Sequence, residues 1–163
     1  MKTLLILRHA KSSWKDTSLA DHDRPLNKRG KQDAPRMGKF LRKQDLVPDR
    51  IISSTAKRAR KTAKAVAKAC HCKDKVELTQ ELYHAGPGSY LAVLQNLPDD
   101  DQRVMVVGHN PGMEALVAHL TNRRETMPTA ALAHVALPIK QWTELDYETQ
   151  GELLNLWRPK ALP

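Results

Sequence analysis

Three short apolar runs restrict the fold of this sequence more than any other feature. They are Thr3–Leu7, Arg50–Ser53 and Val104–Val107. Short runs of this kind, in which apolar residues do not alternate with polar ones, are typical of strands buried on both faces of a parallel sheet. The sequence therefore predicts strands whose two faces are both covered by other elements.

Segments with helical periodicity separate these strands. Small and apolar residues recur at helical spacing over about 31–43, 56–70, 90–97 and 113–120. Further strands are predicted at 75–78, 132–137 and 142–147, the last two as a hairpin through Pro138. Strands that alternate with helices indicate an α/β protein. We expect one domain over residues 1–163, built as a three-layer α/β/α sandwich with a mostly parallel central sheet.

Basic residues are concentrated in the N-terminal half of the chain. Residues 1–75 contain 21 Lys and Arg against 7 Asp and Glu, whereas residues 76–163 contain 6 against 11. Such an imbalance is typical of proteins that bind nucleic acid, an acidic protein surface or a phosphorylated substrate, and also of a solvated helix face. Aromatic residues make up only 4% of the chain, so nucleic acid is not the expected partner.

No segment of the sequence has the pattern of a membrane span or a secretion signal. A spanning helix needs about 20 apolar residues, and no apolar stretch approaches that length. The apolar start of the chain ends at Arg8, too early for a signal peptide. We therefore expect a cytoplasmic protein that has no membrane partner.

Histidine and arginine side chains follow the predicted strands directly. Arg8 and His9 come at the end of the first strand, and His109 follows the strand at 104–107. Arg58 lies in the first turn of the helix after the strand at 50–53. Ligands of open α/β sheets bind beyond the carboxyl ends of the strands, so we expect these side chains to converge. A neutral imidazole can attack phosphorus, and arginine can bind two phosphoryl oxygens, so the set predicts phosphoryl transfer.

The segments that carry these residues resemble a known family. Leu7–Ala10, Ser53–Ala63 and Gly108–Pro111 are similar to motifs of the histidine phosphatase superfamily, to which phosphoglycerate mutase is related. Four further segments resemble the SixA-type phosphohistidine phosphatases, namely Arg8–Trp14, Asp21–Gly30, Leu82–Tyr83 and Met127–Ala130. The resemblance extends from Leu4 to about Trp142 and implies a phosphoglycerate mutase-like fold.

The resemblance implies a role for each matching residue. His9 would be the nucleophile that becomes phosphorylated, and Arg8 and Arg58 would bind the phosphoryl oxygens. His109 would be the second histidine of the pocket and would donate to the phosphate. No metal and no cofactor are implied. Ala10 stands where the superfamily usually has glycine, which is common in the SixA-type branch.

Five other residues are lesser candidates for the site. Lys11 and Ser12 could contact the substrate or its phosphate, and His84 could face the rim of the pocket. Asn110 would make a polar contact or cap its helix, with the cap favoured. Glu81 is a possible general acid, although a surface carboxylate fits the same position equally well.

The loop between the first strand and the first helix carries charged residues. Of these, Asp21, Asp23 and Arg24 are expected to order the loop beside the pocket.

The sequence offers no clear general acid to protonate a leaving group, and this favours one class of substrate. An alkoxide leaving group needs a proton, whereas imidazole is a weak base with a pKa of about 6.5 and leaves more easily. The sequence thus favours a phosphatase that removes phosphate from phosphohistidine on a protein, with inorganic phosphate as product. A metal-independent phosphatase of a small phosphorylated metabolite is the first alternative. A non-catalytic protein that binds phosphate is the second.

Overall fold

Six strands form one mixed sheet at the centre of the protein. The computed structural model describes residues 1–163, and its strands are β1 (Lys2–Arg8), β2 (Arg50–Ser54), β3 (Val76–Thr79), β4 (Arg103–Gly108), β5 (Leu132–Leu137) and β6 (Glu152–Trp157). Their order across the sheet is β3-β2-β4-β1-β5-β6. The first four strands in this order, β3, β2, β4 and β1, are parallel to one another, whereas β5 is antiparallel to both β1 and β6. Only β5 therefore runs against the common strand direction.

Four helices cover the two faces of this sheet. They are α1 (Lys28–Lys43), α2 (Lys57–Cys70), α3 (Pro87–Leu94) and α4 (Gly112–Thr121). Leu5 and Leu7 of β1 pack in one apolar cluster with residues of α1 and α2, whereas Leu4 and Ile6 pack in another with residues of α3 and α4. The predicted α/β/α layering is therefore confirmed. None of the helices is both long enough and apolar enough to cross a membrane.

The predicted strand at 142–147 is wrong. Trp142–Glu144 form a single 3-10 turn, and the strand that pairs with β5 is β6, further along the chain. The Trp142 side chain is fully buried, and its indole N–H donates to the carbonyl oxygen of Asp101 at 2.8 Å. Because this anchor directs the chain into the core, the residues after Pro138 do not extend beside β5 in a tight hairpin.

The start of α1 contacts the segment that follows β1. The Asn27 side chain caps the helix by accepting from the Gly30 N–H at 2.9 Å, and the Asn27 N–H donates to the Lys11 carbonyl oxygen at 2.9 Å. A methyl group on Gly30 would overlap that same carbonyl oxygen. The absence of a side chain at Gly30 therefore lets α1 fix the backbone two residues beyond His9.

Replacing Gly30 with alanine is expected to destabilise the protein, because the added methyl group must push α1 away from the Lys11 backbone. We expect the free energy of unfolding, measured by urea denaturation, to fall by about 1–3 kcal/mol, as is typical of overpacking. Gly86→Ala is the matched control, since no atom lies within 4 Å of a Cβ built there. If Gly30→Ala were as stable as the wild type, the contact would not be tight.

Candidate active site

The carboxyl ends of β1 and β4 place two histidines side by side. The two strands pair in parallel with Arg8 opposite Gly108, so His9 and His109 leave the sheet together. The backbone N–H of His9 donates to the Gly108 carbonyl oxygen at 3.0 Å. The centroids of the two imidazole rings are 5.1 Å apart. Both rings can therefore contact one small anionic group.

Both predicted arginines border the same cavity as these histidines. The cavity has a volume of about 320 Å³. Its lining residues are Arg8, His9, Lys11, Ser12, Trp14, Asp21, Arg24, Arg58, His109, Asn110 and Thr129. The structure thus brings together the four residues to which the sequence assigns the chemistry.

The backbone orients the ring of His9. The Nδ1 atom lies 2.7 Å from the Ala10 carbonyl oxygen. Because a carbonyl oxygen can only accept a hydrogen bond, Nδ1 carries the hydrogen. In the neutral ring, Nε2 then keeps its lone pair. This one contact selects the tautomer in which Nε2 can act as a nucleophile.

Burial keeps both rings neutral. It lowers the pKa of His9 from 6.5 to about 4, with Arg58 and Arg8 acting in the same direction and the hydrogen bond to Ala10 opposing them. Burial likewise lowers the pKa of His109 to about 3, and the charges of His9 and Arg58 add to that effect. At neutral pH the positive charge of the cavity therefore comes from arginine and lysine rather than from imidazolium.

Ser54, at the end of β2, holds the ring of His109. The His109 Nε2 atom lies 2.9 Å from the Ser54 Oγ atom, which also accepts from the Ala56 N–H at 3.2 Å. The serine hydroxyl can donate to Nε2 or accept from it, so this contact positions the ring in either tautomer. The His109 Nδ1 atom is buried and has no hydrogen-bond partner.

Arg58 is fixed by Asp21, which sequence reasoning assigned only to loop ordering. The carbonyl oxygen of Asp21 accepts from Arg58 Nη1 at 2.7 Å, and its carboxylate accepts from Nη2 at 2.9 Å. The Tyr83 hydroxyl donates to the same carboxylate at 2.6 Å. The hydrogen bond from Tyr83, together with the Arg58 guanidinium, holds the pKa of Asp21 below its usual range. The carboxylate is therefore ionised at neutral pH.

Comparison with known families agrees with this arrangement. The family model for the histidine phosphatase superfamily (branch 1) matches residues 4–90, more than half of the chain. The chain belongs to the histidine phosphatase superfamily. The matched part contains Arg8, His9 and Arg58, and the parallel pairing of β1 with β4 adds His109 from beyond it.

Relatives of this histidine phosphatase include a plant protein and solved structures. A chloroplastic protein of Arabidopsis thaliana, named as uncharacterized, is 33% identical over 152 residues, which cover 88% of this chain and 70% of the relative. A protein of Agrobacterium tumefaciens whose solved structure is assigned as the phosphohistidine phosphatase SixA superposes on this chain with a TM-score of 0.82. The two are 28% identical, and the superposition covers 97% of this chain and 98% of that chain.

A second solved structure supports the same branch of the superfamily. The protein histidine phosphatase SixA complexed with tungstate also superposes with a TM-score of 0.82, at 25% identity and with 97% of each chain covered. Both solved structures match over nearly their whole length. The chain therefore belongs to the SixA-type branch, and its phosphoglycerate mutase-like fold is confirmed.

Arg8 and Asn110 bind the same backbone atom. The carbonyl oxygen of Met127 accepts from Arg8 Nη1 at 3.0 Å and from Asn110 Nδ2 at 2.9 Å. The Asn110 Oδ1 atom also accepts from the Glu114 N–H at 3.3 Å, in the first turn of α4. Asn110 therefore supports the helix start, as a cap would, and also fixes the segment against which Arg8 lies.

Thr62 connects α2 to the loop that carries His9. Its Oγ1 atom accepts from the Ala10 N–H at 2.9 Å and donates to the Arg58 carbonyl oxygen at 2.7 Å. The Ala10 peptide groups are thus engaged on both sides, since the Ala10 carbonyl accepts from His9. Sequence reasoning missed this residue, although its position four residues after Arg58 puts both on one helix face.

The remaining predicted site residues differ in their placement. Lys11, Ser12 and Asn110 line the cavity. His84 borders an adjoining cavity that shares His109 and Asn110 with the first, so it lies at the rim. The Glu81 side chain is exposed and lines neither cavity. The structure thus does not bring the candidate general acid to the histidines.

Arg24 and Trp14 also border the cavity, and sequence reasoning did not assign Trp14 to the site. The Arg24 guanidinium lies over the Trp14 ring. Its Nη2 atom also donates to the Ser13 carbonyl oxygen at 3.0 Å. Arg24 therefore orders the loop beside the cavity, as the sequence predicts. The position of Trp14 in the wall of the cavity depends on the path of this loop, which the sequence does not reveal.

Titration of the ring signals by NMR tests the electrostatics of the free protein. We expect His9 and His109 to stay neutral as the pH falls through 6.5 and to protonate only near pH 4 and below. The unfolded chain binds these protons first, so stability should decrease as the pH falls from 6.5 towards 4. The variants His9→Ala and His109→Ala assign the signals. Titration of either ring at its ordinary value would contradict the burial argument.

Thr62→Val removes one hydroxyl group at nearly constant volume and leaves the Ala10 N–H without its partner. Misplacement of the His9 loop should lower kcat about tenfold or more, measured on the probe ester p-nitrophenyl phosphate, while the affinity for inorganic phosphate changes less. Thr62→Ser keeps the hydroxyl and is expected to retain most of the activity. Equal losses in the two variants would assign Thr62 to packing alone.

Proposed function

We propose that this protein is a phosphatase that acts through a covalent phosphohistidine at His9. The observation that carries the proposal is the neutral His9 ring, whose Nδ1 is bound to Ala10 and whose Nε2 is free, in a cavity lined by Arg8 and Arg58. In the first step Nε2 bonds to phosphorus and the leaving group departs with its electron pair. In the second, water attacks the phosphohistidine and releases inorganic phosphate.

The two arginines offset the charge that develops on the phosphoryl oxygens. Asp21 supports this role because it holds Arg58 through two hydrogen bonds and remains ionised itself. The His109 Nδ1–H is the remaining donor in the proposal, since Ser54 engages Nε2. The Ala10 carbonyl oxygen would stabilise the positive charge that the His9 ring gains when Nε2 bonds to phosphorus.

We infer that the substrate is phosphohistidine on a protein. Asp21 is the one carboxylate among the cavity-lining residues, and its lowered pKa leaves it without a proton to donate. An alkoxide leaving group would then depart without acid help, which is typically worth a factor of about 10²–10⁴ in rate. An imidazole leaving group depends far less on such help. The likeness to SixA structures supports the same substrate class.

The test compares a phosphohistidine protein with an alkyl phosphate ester, using the wild type and His9→Ala. We expect rapid loss of phosphate from phosphohistidine, slow cleavage of the ester, and a decrease of about 10³-fold or more in His9→Ala. His119→Ala, which replaces a histidine outside the cavity, is the matched control. Rapid quenching followed by mass spectrometry should locate a phosphoryl group on His9 of the wild type.

Other outcomes of this comparison would redirect the proposal. Faster cleavage of the ester than of phosphohistidine would favour a phosphatase of small metabolites and would require a proton donor that is not Asp21. Binding of phosphate without turnover of either substrate would favour a phosphate-binding protein. Undiminished turnover by His9→Ala would exclude His9 as the nucleophile.

A further inference from the structure

A second cavity adjoins the one that contains the histidines. It has a volume of about 380 Å³ and shares Arg8, Lys11 and Thr129 with the first. Arg8 therefore lies on the wall between the two spaces. A molecule bound in the first cavity could extend into the second and remain in contact with these three shared residues.

The second cavity is strongly cationic. Five of its eight lining residues are positively charged, namely Arg8, Lys11, Arg29, Arg158 and Lys160, and none is acidic. Only Arg29 among them has an ion pair, with Asp33 at 3.4 Å. The Nε atom of Arg8 is buried and has no hydrogen-bond partner. Like charges gathered in this way repel one another, and a bound anion would relieve that repulsion.

The fold fixes the distal wall of this cavity. After β6, Arg158 donates to the Thr126 carbonyl oxygen at 2.8 Å. Pro159 is buried, and its carbonyl oxygen accepts from Arg36 of α1 at 2.9 Å. The segment that presents Arg158 and Lys160 is therefore anchored at two points. Its cations are held beside the cavity instead of being carried on a free chain end.

We propose that the second cavity is an anion subsite that binds a second negatively charged group of the same substrate molecule, either a carboxylate or a phosphate. The inference rests on the proposed function, because it requires the phosphoryl group to occupy the first cavity. The planar forks of Arg29 and Arg158 suit both kinds of anion. The substrate class thus narrows to phosphoryl compounds with a nearby acidic group, such as a phosphohistidine segment that also carries an acidic side chain.

Calorimetric titration with non-hydrolysable phosphonates tests the subsite without turnover. Methylphosphonate serves as the single anion, and α,ω-alkane bisphosphonates of increasing length serve as the double anions. We expect at least one length to bind about tenfold or more tightly than methylphosphonate, as one added charge-assisted contact would allow. Chains that end in a carboxylate instead of the second phosphonate show which anion the subsite prefers.

Removing charges at the distal wall shows which residues give the bisphosphonate its higher affinity. Arg158→Gln combined with Lys160→Gln should abolish the tighter binding of the bisphosphonate and change methylphosphonate affinity by no more than about twofold. Lys160→Gln alone should give a partial loss, and it removes a side chain that is exposed and has no hydrogen bond. The matched control, Lys64→Gln with Lys68→Gln, removes two charges beside a different cavity and should keep the gain.

Three results would overturn the subsite. They are equal affinity for single and double anions at every length, an equal loss in the control variant, and unchanged bisphosphonate binding in the Arg158 and Lys160 variants. Failure of the proposed function looks different, because p-nitrophenyl phosphate would then not be hydrolysed, whether or not methylphosphonate and the bisphosphonates bind. As a substrate test, a phosphohistidine peptide with flanking Glu should react faster than its Gln counterpart in the wild type, but not in the double variant.

Discussion

The hydrogen bond between His9 Nδ1 and the Ala10 carbonyl oxygen is the interaction on which the rest of the site depends. It fixes the tautomer of the ring, and it does so only as long as Ala10 itself is fixed. Thr62 holds the Ala10 N–H, and the Ala10 methyl group is buried in a small apolar cluster. The alanine that stands in place of the usual glycine of the superfamily thus adds packing at the point where the backbone orients the His9 ring.

Burial has opposite effects on the two kinds of cationic side chain in the cavity. It removes the charge of the histidines, because their ordinary pKa lies close to neutrality and desolvation lowers it further. Burial also lowers the pKa of Arg8, but arginine is far more basic than histidine and keeps its proton at neutral pH. The roles proposed for these residues, attack and charge stabilisation, are therefore divided between residue types by their intrinsic basicity.

The sequence predicts the strands that are completely buried and fails to predict the strand at one edge of the sheet. The central strands β1, β2 and β4 are recognisable because both of their faces are apolar. At the edge, β6 is partly exposed, while the buried Trp142 in a turn has the composition of a strand. The site follows the same division. Residues at strand ends, such as His9 and His109, follow from topology, whereas the role of Asp21 depends on the path of a loop that has no periodicity.

The sharing of Arg8 between two cavities bears on how products would leave. A substrate with two anionic groups gains contacts in both cavities, and this binding can favour the transition state when it positions the phosphoryl group. Once the phosphoryl group has passed to His9, the dephosphorylated product keeps only the contacts of the second cavity, and the inorganic phosphate that water later releases keeps only those of the first. Each product therefore binds more weakly than the intact substrate. An enzyme without a proton donor for its leaving group can in this way draw on binding to a remote anion and still release both products.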